Sequence, residues 1–205
     1  MATDLQVSES FPPPGWDSDA LKFYEVVGGE IVENPPMGAE QSILASFLQE
    51  LMGPFARSKK LGRVATETLF LIDRTGKLKR RPDLAFVSDQ RWPLKRRVPD
   101  TEAWDVIPDL AVEVVSESNT ANSVVIKIEE YFQAGVKAAW VIYPVVSKVY
   151  VYESPTRVRI LQVGDTLEGG DLLPGFHIAL SSLFEAGDEE PEPANQSAER
   201  LGCPQ

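Results

Sequence analysis

Apolar and polar positions alternate along this chain so as to predict many short strands and two amphipathic helices. Phe23 to Val27 and Glu30 to Glu33 flank Gly28-Gly29, a dipeptide suited to the positive φ angles of a tight hairpin turn. After Pro35-Pro36, the segment Ala39 to Phe55 sets Leu44, Phe47, Leu48 and Leu51 at the i, i+3, i+4, i+7 spacing of an amphipathic helix, with Gly53-Pro54 expected to fray its end. Val64 to Asp73 predicts a strand, because Thr66, Thr68 and Phe70 favour extended geometry, and Arg74 to Lys77 predicts a turn. Two runs follow in which a proline and an acid precede apolar residues: Arg81-Pro82-Asp83-Leu84-Ala85-Phe86-Val87 and Pro108-Asp109-Leu110-Ala111-Val112-Glu113-Val114-Val115-Ser116. Both read as strands, the second buried on both faces. Between them, Ser88 to Thr101 is a basic, proline-containing loop around Trp92.

The polar turn Ser116 to Asn119 offers N-cap residues for a helix over Asn122 to Ala134, closed by Gly135. Val124, Ile128, Tyr131 and Phe132 form its apolar face, with Ile126 opposite. Ala138 to Tyr143, Lys148 to Glu153 and Val158 to Gln162 predict further strands. Leu172 opens a closing segment that ends near Phe184. Strand, helix and strand around Glu113, Lys127 and Trp140 predict a βαβ crossover. The expected architecture is therefore α/β, a mixed central sheet flanked by helices with an N-terminal hairpin. One domain over residues 20–186 is expected, between a loose, proline-containing lead (1–19) and an acidic tail (187–205) expected to be disordered.

Composition excludes several function classes. With 43% hydrophobic residues in 205, the chain supports one sizeable core, and no apolar run approaches the ~20 residues of a membrane span. The single cysteine, Cys203, rules out a disulfide framework or a cysteine-based zinc site. The first ten residues lack the layout of a signal peptide, and a cytoplasmic location is expected. His177 is the sole histidine and reads as structural, which argues against a histidine triad. The net charge of −11 is unevenly spread: residues 57–97 hold 13 basic and four acidic side chains, a local +9 that leaves −20 elsewhere. Such asymmetry suits a positive surface on an acidic protein, or merely a set of solvated loop charges.

Three residues carry the candidate chemistry. An ionised Glu113 inside an apolar strand needs a cation or donors beside it. Asp83 lies 30 residues upstream in a matching run, and Lys127 falls roughly 60° from Val124, on the border of the second helix's apolar face. Two strand carboxylates and a lysine suit a hard divalent cation, Mg²⁺ or Mn²⁺, together with a phosphate, and the Val114 carbonyl is a further ligand candidate. Glu67, Glu40 and Gln41 are secondary candidates. Against this stand plainer roles: Asp83 capping a turn, Lys127 as a solvated helix lysine, Asp109 as a turn residue, and Trp140 in the core. Trp92 is either a base-stacking side chain or a loop anchor.

The order and spacing of these motifs resemble the PD-(D/E)XK nuclease superfamily, and within it the Uma-type restriction endonuclease family, a domain of unknown function that some bacterial genomes carry in many copies. The matching residues run from about Phe23 to Phe184. They include Tyr24-Glu25, Glu33-Asn34-Pro35-Pro36, Arg81-Pro82-Asp83, Pro108 to Ser116, Lys127, Tyr131, Gly135-Val136, Trp140-Val141 and Leu173-Pro174-Gly175-Phe176. The resemblance implies a restriction-endonuclease-like core, a Mg²⁺-type metal, and DNA as substrate, with Asp83, Glu113 and Lys127 as catalytic residues. Arg80, Arg81, Arg96 and Arg97 are the candidate DNA contacts, and cutting both strands would suit a homodimer. The chain departs from the pattern at Val115, where the superfamily's usual lysine stands, with Lys127 as its replacement. It departs again at Gln41, where the family carries a histidine, and at Ser116-Glu117-Ser118, where a proline often follows the serine. A catalytically degenerate DNA-binding module is the alternative, and a scaffold protein the third reading.

Overall fold

The computed structural model describes residues 23–33, 36–116 and 119–184. Along the chain these form β1 (Tyr24–Val27), β2 (Glu30–Glu33), α1 (Ala39–Ser58), β3 (Gly62–Thr66), β4 (Phe70–Leu71), β5 (Lys79–Arg80), β6 (Leu84–Ser88) and β7 (Leu110–Val114). They continue with α2 (Ala121–Ala134), β8 (Ala138–Tyr143), β9 (Lys148–Ser154), β10 (Arg157–Gln162), β11 (Thr166–Glu168), β12 (His177–Ala179) and α3 (Leu180–Phe184). The lead 1–19 and the tail 187–205 lie outside the described residues. Among the described residues, no helix is long and apolar enough to cross a membrane.

The central sheet runs β10-β9-β8-β7-β6-β3. Only β7 and β8 pair in parallel, because α2 connects them as a crossover; hairpins or loops join the other strands antiparallel. The architecture is the mixed α/β sheet that the motif order implied.

Successive side chains of a strand point to opposite faces, and this sorts the two cores. Leu110, Val112 and Val114 face α1, where Leu44, Leu48, Met52 and Ala56 cover the sheet together with the β11–β12 hairpin and α3. Ala111 and Val115 face the other way, among Ala85, Val87 and the Val124, Ile128 and Tyr131 stripe of α2. Glu113 lies between them in sequence and so shares the α2 face. A smaller sheet, β2-β1-β5-β4, carries the N-terminal hairpin against this assembly. Its turn uses Gly28 and Gly29, both at positive φ.

Three expectations are corrected. Helix α1 does not fray at Gly53-Pro54 but continues to Ser58. Met52 and Ala56 are fully buried on the sheet, and the Phe55 ring meets Phe176 edge-on at 5.4 Å, so tertiary packing holds the last turn past the proline. The inward stripe includes Ala45 and Met52, whereas Leu51 is exposed. The strand expected over Val64 to Asp73 is broken after Thr66, since Glu67 adopts a left-handed conformation with φ 44°. The closing segment from Leu172 does end at Phe184, and is built of strand β12, paired with β11, and helix α3.

Candidate active site

Sheet register assembles the acids. Thr66 pairs with Leu84 and Leu84 with Val112, so one residue further on Glu67, Asp83 and Glu113 stand level at the ends of three adjacent strands. The Glu67 N–H donates to the Asp83 carbonyl at 3.1 Å, and the Val114 N–H donates to Asp83 Oδ2 at 2.6 Å. Asp83 therefore precedes β6 rather than lying within it. Its carboxyl takes the place of a ladder partner for β7. Carboxylates placed side by side across strands repel. Burial first, and then the Glu113 charge, push the Asp83 carboxyl up to about 7.

Helix α2 brings the amine. Thr120 caps it by accepting from the Ser123 N–H at 3.1 Å, and Gly135 ends it at φ 102°. Between these ends, Lys127 Nζ reaches Glu113 Oε2 at 3.0 Å and Glu25 Oε1 at 3.2 Å. One turn on, the fully buried Tyr131 hydroxyl donates to Glu113 Oε1 at 2.5 Å. Burial alone would lower the Lys127 ammonium, but the charges of Glu113 and Glu25 reverse this and hold it well above the ordinary lysine range. Burial, reinforced by Glu113, pushes the Tyr131 phenol up and keeps it a donor.

A cavity of about 530 Å³ opens over these groups, lined by Asp83, Glu113, Val114, Lys127, Glu67, Arg81 and Gln41 among others. Glu40 is exposed in the first turn of α1 and does not line it, so its candidacy is not supported by position. Gln41 does line it, with its amide over Gly38, the residue preceding α1.

The candidate DNA contacts divide. Arg80, a candidate DNA contact, touches the cavity wall but is buried between Glu25 (2.6 Å) and Glu130 (2.7 Å), so its guanidinium is paired within the protein. Arg81 is half-buried on the cavity wall, its guanidinium donating to the Tyr24 and Glu67 carbonyls. Arg97 is exposed, as is Arg96, which lies 3.6 Å over the Trp92 ring. Trp92 itself is buried edge-on against Trp104, which makes it the loop anchor and not a base platform. Asp109 is wholly buried and accepts from Ser88, Arg91 and Lys137, so it serves structure.

Glu25, Glu130 and the Tyr131 hydroxyl are the contributors that sequence reasoning missed. For Glu25 a signal existed, an acid within the apolar run Tyr24 to Val27. The Tyr131 hydroxyl was hidden by its ring, whose place in the apolar stripe accounted for the residue.

As hosts for a divalent cation, these residues fit in chemistry. Asp83 and Glu113 are hard oxygen donors. Asp83 Oδ1 carries no hydrogen bond within the described residues, which leaves it as an oxygen donor for a cation. Among the described residues there is no cluster of three or more acids, histidines or cysteines arranged to hold a metal, so water or phosphate oxygens would complete the shell.

A mixed sheet flanked by helices, with acids at adjacent strand ends and a lysine facing them, defines a protein of the nuclease-fold class. The chain belongs to the Uma2 family, described as "Putative restriction endonuclease", whose model matches residues 14–181. This membership supports a nuclease-like function. Among solved structures, the chain is similar to a "putative nuclease belonging to DUF820" from Anabaena variabilis ATCC 29413, with a TM-score of 0.68 and 18% identity over 79% of this chain and 89% of that one. At that identity the likeness speaks to the fold. No curated protein matches the sequence.

Proposed function

We propose that the protein is a divalent-metal-dependent DNA endonuclease that hydrolyses phosphodiester bonds. Asp83, Glu113 and the Val114 carbonyl would hold Mg²⁺ or Mn²⁺, and Lys127 would act on the scissile phosphate. The observation that carries this reading is the convergence of the three side chains on one open cavity, within a chain of this family.

When bound, the cation supplies charge neutralisation at the phosphate and acidifies a coordinated water. The protein's own contributions are positional. The Val114 N–H fixes one oxygen of Asp83, a residue of the cavity wall, and leaves the other without a hydrogen bond among the described residues. Tyr131 orients Glu113 from behind by binding Oε1. Lys127 stays protonated throughout the neutral range and offers its N–H donors to an anionic oxygen, whose charge grows in the transition state. The lysine usual two residues after the glutamate would share the Glu113 face of the sheet; α2 covers that face, which is why its amine reaches the same place. A homodimer would present two such sites to the two strands of a duplex.

Replacing Asp83 or Glu113 with Ala should reduce Mg²⁺- or Mn²⁺-dependent nicking of supercoiled plasmid by at least ~100-fold while the protein remains folded. Cleavage at wild-type rate in either variant would remove the proposal. Gln41 on the cavity wall, in place of the family's histidine, favours the second reading, a DNA-binding module that has lost cleavage. Salt-sensitive DNA binding without nicking in either metal would select it.

A further inference from the structure

A lysine carried on a helix swings on a four-carbon stem, and one ion pair fixes it in one direction only. Here a second carboxylate fixes the other direction. Lys127 Nζ sits between Glu113 Oε2 at 3.0 Å and Glu25 Oε1 at 3.2 Å. Glu25 is itself immobilised, since Oε1 accepts from the Arg81 N–H at 3.0 Å and Oε2 from Arg80 Nη1 at 2.6 Å. Arg80 Nε then donates to Glu130 Oε2 at 2.7 Å, and Glu130 lies three residues after Lys127 on the same flank of α2. The charges alternate along this row of ion pairs, lysine, glutamate, arginine, glutamate, and both of its ends stand on α2. Glu25 and Arg80 come from β1 and β5, which pair through Val26 and Lys79, so the small sheet presents a preformed ion pair to the helix. Their side chains are only 5% and 7% exposed, and charges so deeply buried persist only when every one is partnered.

We propose that Glu25 is a positioning residue of the site. It holds the Lys127 amine at the phosphate position through the buried Glu25–Arg80–Glu130 brace. This rests on the nuclease reading above. Glu25 touches no reacting atom; it acts through Lys127.

The experiment uses the full chain with three variants, Glu25→Gln, Lys127→Met and both together. Glu25→Gln should lower kcat for Mn²⁺-dependent plasmid nicking roughly 10- to 100-fold and leave KM within about twofold, as displacement of a catalytic group does. In the Lys127→Met background it should lower kcat no further. Independent of activity, acetic anhydride labelling read by mass spectrometry should find Lys127 protected against exposed Lys59 and Lys60, and about tenfold faster to react in Glu25→Gln. If Glu25→Gln fails to fold, Glu130→Gln, on the half-buried side of the brace, should produce the same two changes more weakly. An unchanged Lys127 labelling rate, or an equal kcat loss in both backgrounds, overturns the proposal. A wild-type chain that cleaves nothing overturns the nuclease reading instead, and the labelling result still decides whether Glu25 holds the lysine.

Discussion

Asp83 is held between conflicting demands. Its side chain must accept the Val114 N–H, yet burial and the adjacent Glu113 carry its proton affinity from the ordinary 3.8 up to about 7. For an acid whose folded pKa lies above its unfolded one, the folded state binds more protons between the two values. Stability therefore falls as pH rises from about 4 to about 7, and above that the full penalty applies. Asp83→Asn removes the titration and keeps an acceptor for Val114. In cation-free buffer at pH 8 it should be more stable than wild type by on the order of 2–4 kcal/mol, an upper range from ~1.4 kcal/mol per pKa unit. At pH 4.5 the gap should shrink to about 1 kcal/mol, since the unfolded carboxyl is already mostly ionised there. Chemical denaturation at both pH values checks this, and no gain at pH 8 would mean that the site carries no unrelieved charge. Added Mg²⁺ or Mn²⁺ should stabilise the wild type but not the variant. Asp83, Glu113 and Lys127 could be singled out in the sequence because each charge interrupts or borders an apolar pattern. Glu25 was harder to recognise because its partner Arg80 stands 55 residues away, and only folding brings such a pair together.

Among the elements, those with a clean period were legible and those set by contacts were not. The apolar run Leu110 to Val114 and the stripe Val124, Ile128, Tyr131 gave β7 and α2 their places, because the strand had to be buried on both faces and the helix on one. The end of α1 was misread at Pro54, since what outweighs a proline is packing of Met52 and Ala56 that no local pattern reveals. The break after Thr66 was likewise invisible, as Glu67 is not a residue that favours positive φ. The close approach of β3 to β6 went unread too. A Cβ at Gly62 would lie 2.1 Å from the Val87 carbonyl oxygen and 2.8 Å from the Phe86 ring. Gly62→Ala must therefore push β3 off β6, the strand that Asp83 precedes. It should cost roughly 2 kcal/mol or more, within the range of overpacking, and lower nicking along with stability. Urea unfolding of the variant is the check, and a midpoint equal to wild type would show that the strands can part without cost.

For the whole molecule, the question is how a chain of net charge −11 meets an anionic polymer. The basic segment of residues 57–97 supplies less free positive charge than its composition implies. Arg80 is paired with Glu25 and Glu130, Arg91 with Asp109, and Lys79 with Glu102, while Arg63 donates to the backbone carbonyls of Trp92, Pro93, Leu94 and Arg96. Those cations hold the fold together. Lys95, Arg96 and Arg97 remain exposed on the loop that Arg63 and Trp92 anchor, a rigid mount for charges that face solvent. If this loop meets the DNA backbone, each contact releases counterions and adds about −0.9 to the slope of log K against log salt. Replacing Arg96 and Arg97 with Ala should then weaken binding to duplexes of any sequence and make the slope shallower by roughly two. Arg80→Ala should instead lower the melting temperature and leave the slope alone, because its charge is already spent inside the protein. Fluorescence anisotropy on a labelled duplex across a salt series separates these cases. A slope unmoved by the loop variant would place the DNA on another surface, and a slope changed by Arg80→Ala would mean that the buried brace opens when DNA binds.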